Sequence, residues 1–458
     1  VGVFYFIVMQ SVGLKYDLPK RVLALMLIAI IVATFAAAVK LNEAMILIVP
    51  LAVVLLAAYL KSPELGFSAV IVGQNLFAIA LSAANFDRPI FAYAPIGIVS
   101  LFSIGLLALQ KKAAIPKKVN LVIVSVFLVT LIILFNFHRT RFPDYTAVKT
   151  VTFLVSCLVP FLCFSSIKSD ADFIKKILKG AVVIGTVTIL YSALNIVITG
   201  DISGWGRFNA IELVNVNHYA RNIGFIVVFA TWWLFDTERK WLKFGLIVFI
   251  LSSLSLIIMT GSRTSLLAVM GAVLMYVAFF ADVGIKQRIS TLVSFVLVIA
   301  IPMTLGFGSM MRRFSSLQYV DLAVAGRVGM WLAAWEHKFD RILFGFGTGN
   351  FAAILPAWAV GANLRHPHNL FIEYYFEWGI IGLFALAMLF ISPILLWRKI
   401  RRSACDYAWK SIADLLIVLV AFSFVNGMID SSAADPHLFT TLGLLVAIYV
   451  NSHEGHPA

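Results

Sequence analysis

The chain is 458 residues long, 61% of them hydrophobic and only 13% charged, with a mean hydropathy of +0.97. Soluble domains carry roughly a quarter charged residues, so a soluble enzyme is excluded. The 36 Lys and Arg against 22 Asp and Glu give a formal charge of +14. In a chain this apolar, that excess reflects loops retained in the cytoplasm and not a nucleic-acid partner.

Apolar runs of bilayer-crossing length recur along the chain and predict an all-α, polytopic membrane protein. They fall at roughly 21–39, 43–60, 66–84, 91–110, 119–137, 147–166 and 176–199, then roughly 219–235, 243–260, 264–281, 289–308, 369–396, 412–428 and 437–450. Fourteen spans result, or twelve if two weak early runs form one re-entrant hairpin. Residues 1–14 are apolar but short and have no basic segment before them, which argues against a cleavable signal peptide. Alternate loops carry about 22 of the 36 basic residues, among them Lys111, Lys112, Lys117 and Lys118, and Arg398, Lys399, Arg401 and Arg402. Both termini are therefore expected in the cytoplasm, with an even number of spans. Three cysteines, Cys157, Cys163 and Cys405, have no zinc or disulfide spacing. Two regions are expected: N-terminal membrane helices over 1–200 and a second membrane region over 201–450.

The polar residues concentrate on the non-cytoplasmic side. Arg207 and Arg221 bracket the segment before the span at 219–235, with Asn215, Asn217 and His218 between them. Arg263 follows Gly261-Ser262 and precedes Thr264-Ser265, a guanidinium at a helix start, where backbone N–H groups favour a phosphate. A long loop, 309–367, is expected to form a folded periplasmic lid. Within it, Val328, Trp331, Leu332, Trp335 and Phe339 follow helical spacing, so their stripe should lie on the bundle or in the outer interface. Arg327 is expected at the start of that helix, again a place for an anion. The run Phe344-Gly-Phe-Gly-Thr-Gly-Asn350 reads as a tight turn, because no strand precedes it and no Lys-Ser/Thr follows as a nucleotide loop requires.

Arg365-His366-Pro367-His368-Asn369 is the densest polar cluster. Its histidines suit either metal chelation, with Glu373 brought close by folding, or general-base chemistry by one neutral imidazole. Beyond it, Glu373 and Glu377 share a helix face at i, i+4, and Gly379 and Gly382 are expected to let another helix pack closely.

His368-Asn369, nine residues, Gly379, two residues, Gly382 resembles the His-Asn/Ser/Gln-x9-Gly-x2-Gly signature of the O-antigen ligase and polymerase superfamily. Gly261-Ser262-Arg263, Gly326-Arg327 with Trp331, and the glycine turn before the histidines resemble its other blocks. The resemblance covers roughly 200–450. It implies a GT-C-like helical glycosyltransferase of the bacterial inner membrane with its active site at the periplasmic face. The donor would be a glycan on undecaprenyl diphosphate and the acceptor a sugar hydroxyl, on lipid A–core for a ligase or on a glycan for a polymerase. His368 would be the catalytic base, and Arg263 and Arg327 the pyrophosphate pair. Arg207, Arg221, Arg365, Asn369 and Glu377 are further candidates for the site. No cofactor and no metal is implied, since arginines supply the positive charge. Membrane lipids are expected partners. A lipid-linked-sugar flippase is the competing class, but no clear internal repeat of the kind transporters show is present.

Overall fold

A computed structural model describes residues 62–83, 93–113, 115–116, 119–199, 215–293, 317–337, 339–355, 366–404, 406–429 and 435–454. The protein is all-α. Among the described residues the only pairing of extended segments is the isolated bridge between Ala113 and Ile167. In chain order the helices are α1 (Pro63–Ala83), α2 (Ala94–Leu109), α3 (Leu121–Phe135), α4 (Pro143–Phe153), α5 (Val159–Ser165), α6 (Ala171–Thr199) and α7 (Val216–Asp236). Then come α8 (Lys240–Thr260), α9 (Arg263–Phe279), α10 (Leu317–Glu336), α11 (Phe351–Ile354), α12 (Leu370–Ser403), α13 (Tyr407–Ile429) and α14 (Pro436–Glu454).

Among the described residues five segments are long and apolar enough to cross a membrane: Leu121–Arg139, Pro143–Ser165, Lys240–Thr260, Leu370–Ser403 and Tyr407–Met428. Shorter apolar helices lie at Pro63–Val72, Pro95–Leu109 and Arg263–Phe279. The first two expected spans, 21–39 and 43–60, lie outside the described residues, as does most of 289–308. Pro143–Ser165 counts as one segment because α4 and α5 are joined by a π-helical turn, Leu154–Leu158. Pro160 has no N–H to give to the carbonyl four residues back, and the wider turn accommodates that loss. Helix starts are set by local chemistry: Asn120 accepts from the N–H groups of Val122 and Ile123, at 3.0 and 3.1 Å, and so begins α3.

Among the described residues, several of the expected basic loops gather at one end of the bundle. The Lys168 N–H donates to the Lys112 carbonyl at 2.8 Å, and Asn451 donates to Ile167 at 2.8 Å. Lys175 and Lys179 both reach Asp236, and Arg401 reaches Asp414. Asn369, at the head of α12, instead bonds Met428 in the last turn of α13, whereas Asp414, which holds Arg401, lies toward the start of α13. α12 packs on α3, α13 and α14, while α13 also packs on α9.

One expected span is broken. At about 1.5 Å per residue, the 34 residues of α12 would make a rod of about 51 Å, well beyond a hydrocarbon core of about 30 Å. Gly379 interrupts it, with φ 66° and ψ −154°, a conformation that only glycine adopts without strain. The break frees backbone groups that a continuous helix would pair, and the segment 342–347 takes them up. Ile380 N–H donates to Ile342 at 2.7 Å and Ile381 N–H to Leu343 at 3.4 Å. In return Phe346 N–H donates to Phe376 at 2.9 Å and Gly347 N–H to Glu377 at 2.8 Å. Such satisfaction is obligatory where water is scarce. The close approach explains the glycines: a Cβ on Gly379 would overlap the backbone of Ile342 and Leu343, and one on Gly345 the backbone of Glu377 and Trp378. Gly382 instead faces Tyr374 and Trp378 of its own helix. The expectation that Gly379 and Gly382 admit another helix is thus corrected, since a turn and the folded-back helix occupy those places.

A direct consequence is that Gly379→Ala and Gly345→Ala each destabilise the protein, by about 1–3 kcal/mol for the backbone conformation alone. Thermal unfolding of the purified chain in detergent measures this. Gly105→Ala, inside α2 where an added methyl meets nothing within 4 Å, serves as the control: its stability is unchanged or rises by about 1 kcal/mol.

Candidate active site at the head of α12

Asn369 and His368 set the start of α12. The Asn369 side chain accepts from Phe371 and Ile372 N–H at 3.0 and 3.1 Å, an N-cap, and donates to the Met428 carbonyl of α13 at 3.0 Å. It therefore holds the helix start in place with both ends of its amide. His368, just outside the cap, has φ 52°, a left-handed conformation uncommon for a residue with a Cβ. Trp331 on α10 fixes the approach to it by donating its indole N–H to the Pro367 carbonyl at 2.8 Å. The rings of His366 and His368 lie 4.4 Å apart between centroids. Among the described residues no group of three His, Cys, Asp or Glu forms a metal-binding cluster.

Two helical turns below, a buried ion triad ties α12 to α4. Lys149 donates to Glu373 Oε1 at 2.6 Å and to Glu377 Oε2 at 2.7 Å. Both glutamate side chains are fully buried and that of Lys149 is 10% exposed. The shared helix face of Glu373 and Glu377 is as expected; their cation, from the far half of the chain, was not anticipated. Lys149 stands at the edge of an apolar run, where it resembles an interfacial anchor. The clue available in the sequence was the glutamate pair itself, since two carboxylates inside a membrane helix demand a cation.

The glycine turn is latched to the same N-terminal segment. Arg139 donates to the carbonyls of Phe344 and Gly345 at 3.3 and 3.2 Å. Asn350 donates to Phe346 and Arg139 carbonyls and accepts from the Arg141 N–H at 2.7 Å. Thr348 receives the Trp378 indole N–H at 3.0 Å on its hydroxyl and the Thr146 hydroxyl at 2.8 Å on its carbonyl. The tight turn expected over 344–350 is present, with positive φ at Gly345, Gly347 and Gly349.

The arginines are distributed around this head. Arg263 opens α9 as expected, after Gly261, which closes α8 in the left-handed conformation. Ser262 bonds Ser265 at 3.1 Å, and Ser265 donates to the Asn217 carbonyl at 3.4 Å, so α9 and α7 start side by side. Because α13 packs on both α9 and α12, Arg263 and His368 border the same end of α13. Arg327 differs from expectation: α10 begins at Leu317, so Arg327 lies inside the helix and not at its positive end. Gly326 is simply carried within the helix, at a cost of about 1 kcal/mol against alanine. Arg327 nonetheless stands one turn before Trp331 on one helix face, beside the residue that grips Pro367. Of the stripe expected on the bundle or in the outer interface, Trp331 packs beside the buried cluster of Met330, Ala333, Ala334, Phe351, Leu355 and Phe376, while Val328, Leu332, Trp335 and Phe339 are exposed. Arg221 is buried within α7. Arg207 and Arg365 lie outside the described residues.

Residues 246–387 match the family model described as O-antigen ligase. The matched segment contains Arg263, Arg327, His368, Asn369, Glu373, Glu377, Gly379 and Gly382, but neither Lys149 nor Arg139. A search of curated proteins gave no significant match. This all-α, polytopic membrane protein carries an O-antigen ligase family domain over residues 246–387.

Proposed function

We propose that the protein is an inverting glycosyltransferase of the O-antigen ligase type in the bacterial inner membrane. It moves a glycan from undecaprenyl diphosphate to a sugar hydroxyl of lipid A–core at the periplasmic face, the end of the bundle opposite the basic loops. The observation that carries this is His368 in its left-handed conformation at the head of α12, inside the matched family segment, between the Trp331–Pro367 contact and the Asn369 cap. In the mechanism, His368 takes the proton of the acceptor hydroxyl as that oxygen bonds the anomeric carbon. The bond from that carbon to the diphosphate oxygen breaks on the opposite face, which inverts the centre. Arg263 and Arg327 face the diphosphate and stabilise the charge it gains on departure. The segment 309–367, held by α10 and the glycine turn, acts as a periplasmic lid on a GT-C-like helical scaffold with both termini in the cytoplasm. A polysaccharide polymerase would use the same donor and residues, with a second glycan as acceptor.

The test is transfer in vitro from purified undecaprenyl-diphosphate glycan to lipid A–core, with a glycan acceptor in parallel. His368→Ala lowers turnover by roughly 10²- to 10⁴-fold while donor binding persists. His366→Ala does much less, and EDTA leaves transfer intact. Equal losses in the two histidine variants together with EDTA sensitivity would replace the base with a metal site.

Arginine geometry is a second test. Arg263→Lys and Arg327→Lys keep the charge but lose the planar fork that meets two phosphate oxygens. Each abolishes most transfer while the protein remains in the membrane at normal amounts. Wild-type rates for Arg263→Lys reduce that residue to an interfacial anchor.

A further inference from the structure

A second polar cluster lies inside the bundle, between α7, α1 and α14. Asn222 of α7 donates to Gln74 and Asn75 of α1, at 3.1 and 2.8 Å, and its carbonyl oxygen pairs with His437 Nε2 on the first turn of α14. The His437 ring stacks on Phe225 with centroids 4.6 Å apart. Tyr93, at the head of α2, lies 3.4 Å from His218 Nδ1 through its hydroxyl. The acceptor oxygens of Gln74, Asn75 and Asn222 in this cluster are all engaged. The unpartnered atoms are all donors: Arg221 Nε, Arg221 Nη2 and Asn75 Nδ2.

Arg221 is 3% exposed, and among the described residues it forms no ion pair. Asp435, near the head of α14, spends its Oδ1 on the His437 N–H at 3.1 Å. A guanidinium buried this deeply, with two N–H groups unpartnered among the described residues, is a costly arrangement that an anion would relieve. The two orphaned nitrogens define what would fit. Nε and Nη2 form one edge of the planar group, and their parallel N–H bonds match two oxygens of a single oxyanion. The place is also suggestive. Arg221 follows Asn217 by four residues and so shares its helix face, one turn deeper. The Asn217 carbonyl in turn receives Ser265 from the helix that Arg263 opens.

We propose that Arg221 is a buried oxyanion subsite, one helical turn below the start of α9, that takes a phosphoryl group. The choice of a phosphoryl group rests on the lipid-diphosphate donor proposed above. The phosphoryl group can come from a prenyl diphosphate or from a soluble diphosphate, and the test separates them.

The full chain is purified in detergent, and its thermal unfolding is followed with farnesyl diphosphate or with inorganic pyrophosphate. Farnesyl diphosphate raises the midpoint of the wild type, and Arg221→Met loses most of that rise while Arg263 is intact. Arg221→Lys fails to restore it, because an ammonium lacks the fork. An equal rise with pyrophosphate alone assigns the site to the soluble anion; a rise only with the prenyl compound assigns it to the lipid. Without ligand, Arg221→Met is at least as stable as the wild type, since it removes an unpaired buried charge. No shift in the wild type with either probe, an unchanged shift in Arg221→Met, or marked destabilisation of ligand-free Arg221→Met overturns the subsite. Because binding is read without transfer, a wild type that binds through Arg221 yet transfers no glycan refutes the proposed activity alone.

Discussion

Two buried carboxylates and one nearly buried ammonium pin the first turns of α12 to α4. Lys149 reaches both Glu373 and Glu377 within 2.7 Å, and among the described residues the second oxygen of each glutamate has no hydrogen-bond partner. Removing the lysine from such a site leaves charge that nothing else offsets, a loss of about 3–5 kcal/mol for a typical buried pair. Both carboxyl groups depend on this one cation, so neither can be separated from α4 cheaply. That fixes the first turns of α12 against the N-terminal half, and with them the cap at Asn369 and the position of His368 just outside it.

The glycine turn depends on the same placement. With α12 broken at Gly379, four backbone bonds join residues 376–381 to 342–347. Arg139, Thr146 and Asn350 then bind the turn to the segment around α4, so helix, turn and N-terminal half form one closed set of contacts. His368 and its neighbours belong to the matched family segment, while the groups that steady them, Lys149, Arg139 and Thr146, do not. The surface beside the turn is apolar: a cavity of about 310 Å³ is lined by Leu131, Ile132, Phe135, Asn136, Phe344, Trp378 and Ile381.

Much of this was legible from the chain alone, for identifiable reasons. Spans announce themselves by apolar length, and the basic loops by their alternation. Arg263 was placed at a helix start because Gly261 and Ser262 end one helix and begin another. The i, i+4 spacing of Glu373 and Glu377 is a geometric certainty in any helix. Harder to see was the break at Gly379, since glycine within an apolar run leaves hydropathy unchanged and its φ is decided by the turn that packs on it. Arg327 was misplaced because Gly326 looks like a boundary, whereas α10 passes through it. The stripe from Val328 to Phe339 marks an apolar face but not how it divides: Trp331 packs beside Met330, Ala333 and Ala334, while the rest stays exposed. Lys149 was hidden because a pairing over more than two hundred residues leaves no local pattern.

The central claim, that the site is assembled by charge across the two halves, is tested most directly by charge balance. Lys149→Met alone strands two buried carboxyl groups, and glycan transfer and thermal stability in detergent should both collapse. Adding Glu373→Gln and Glu377→Gln removes those charges and keeps the side-chain volumes, so stability should return and a substantial part of transfer with it. A triple variant no more stable than Lys149→Met, or a Lys149→Met protein as stable and active as the wild type, would contradict the account.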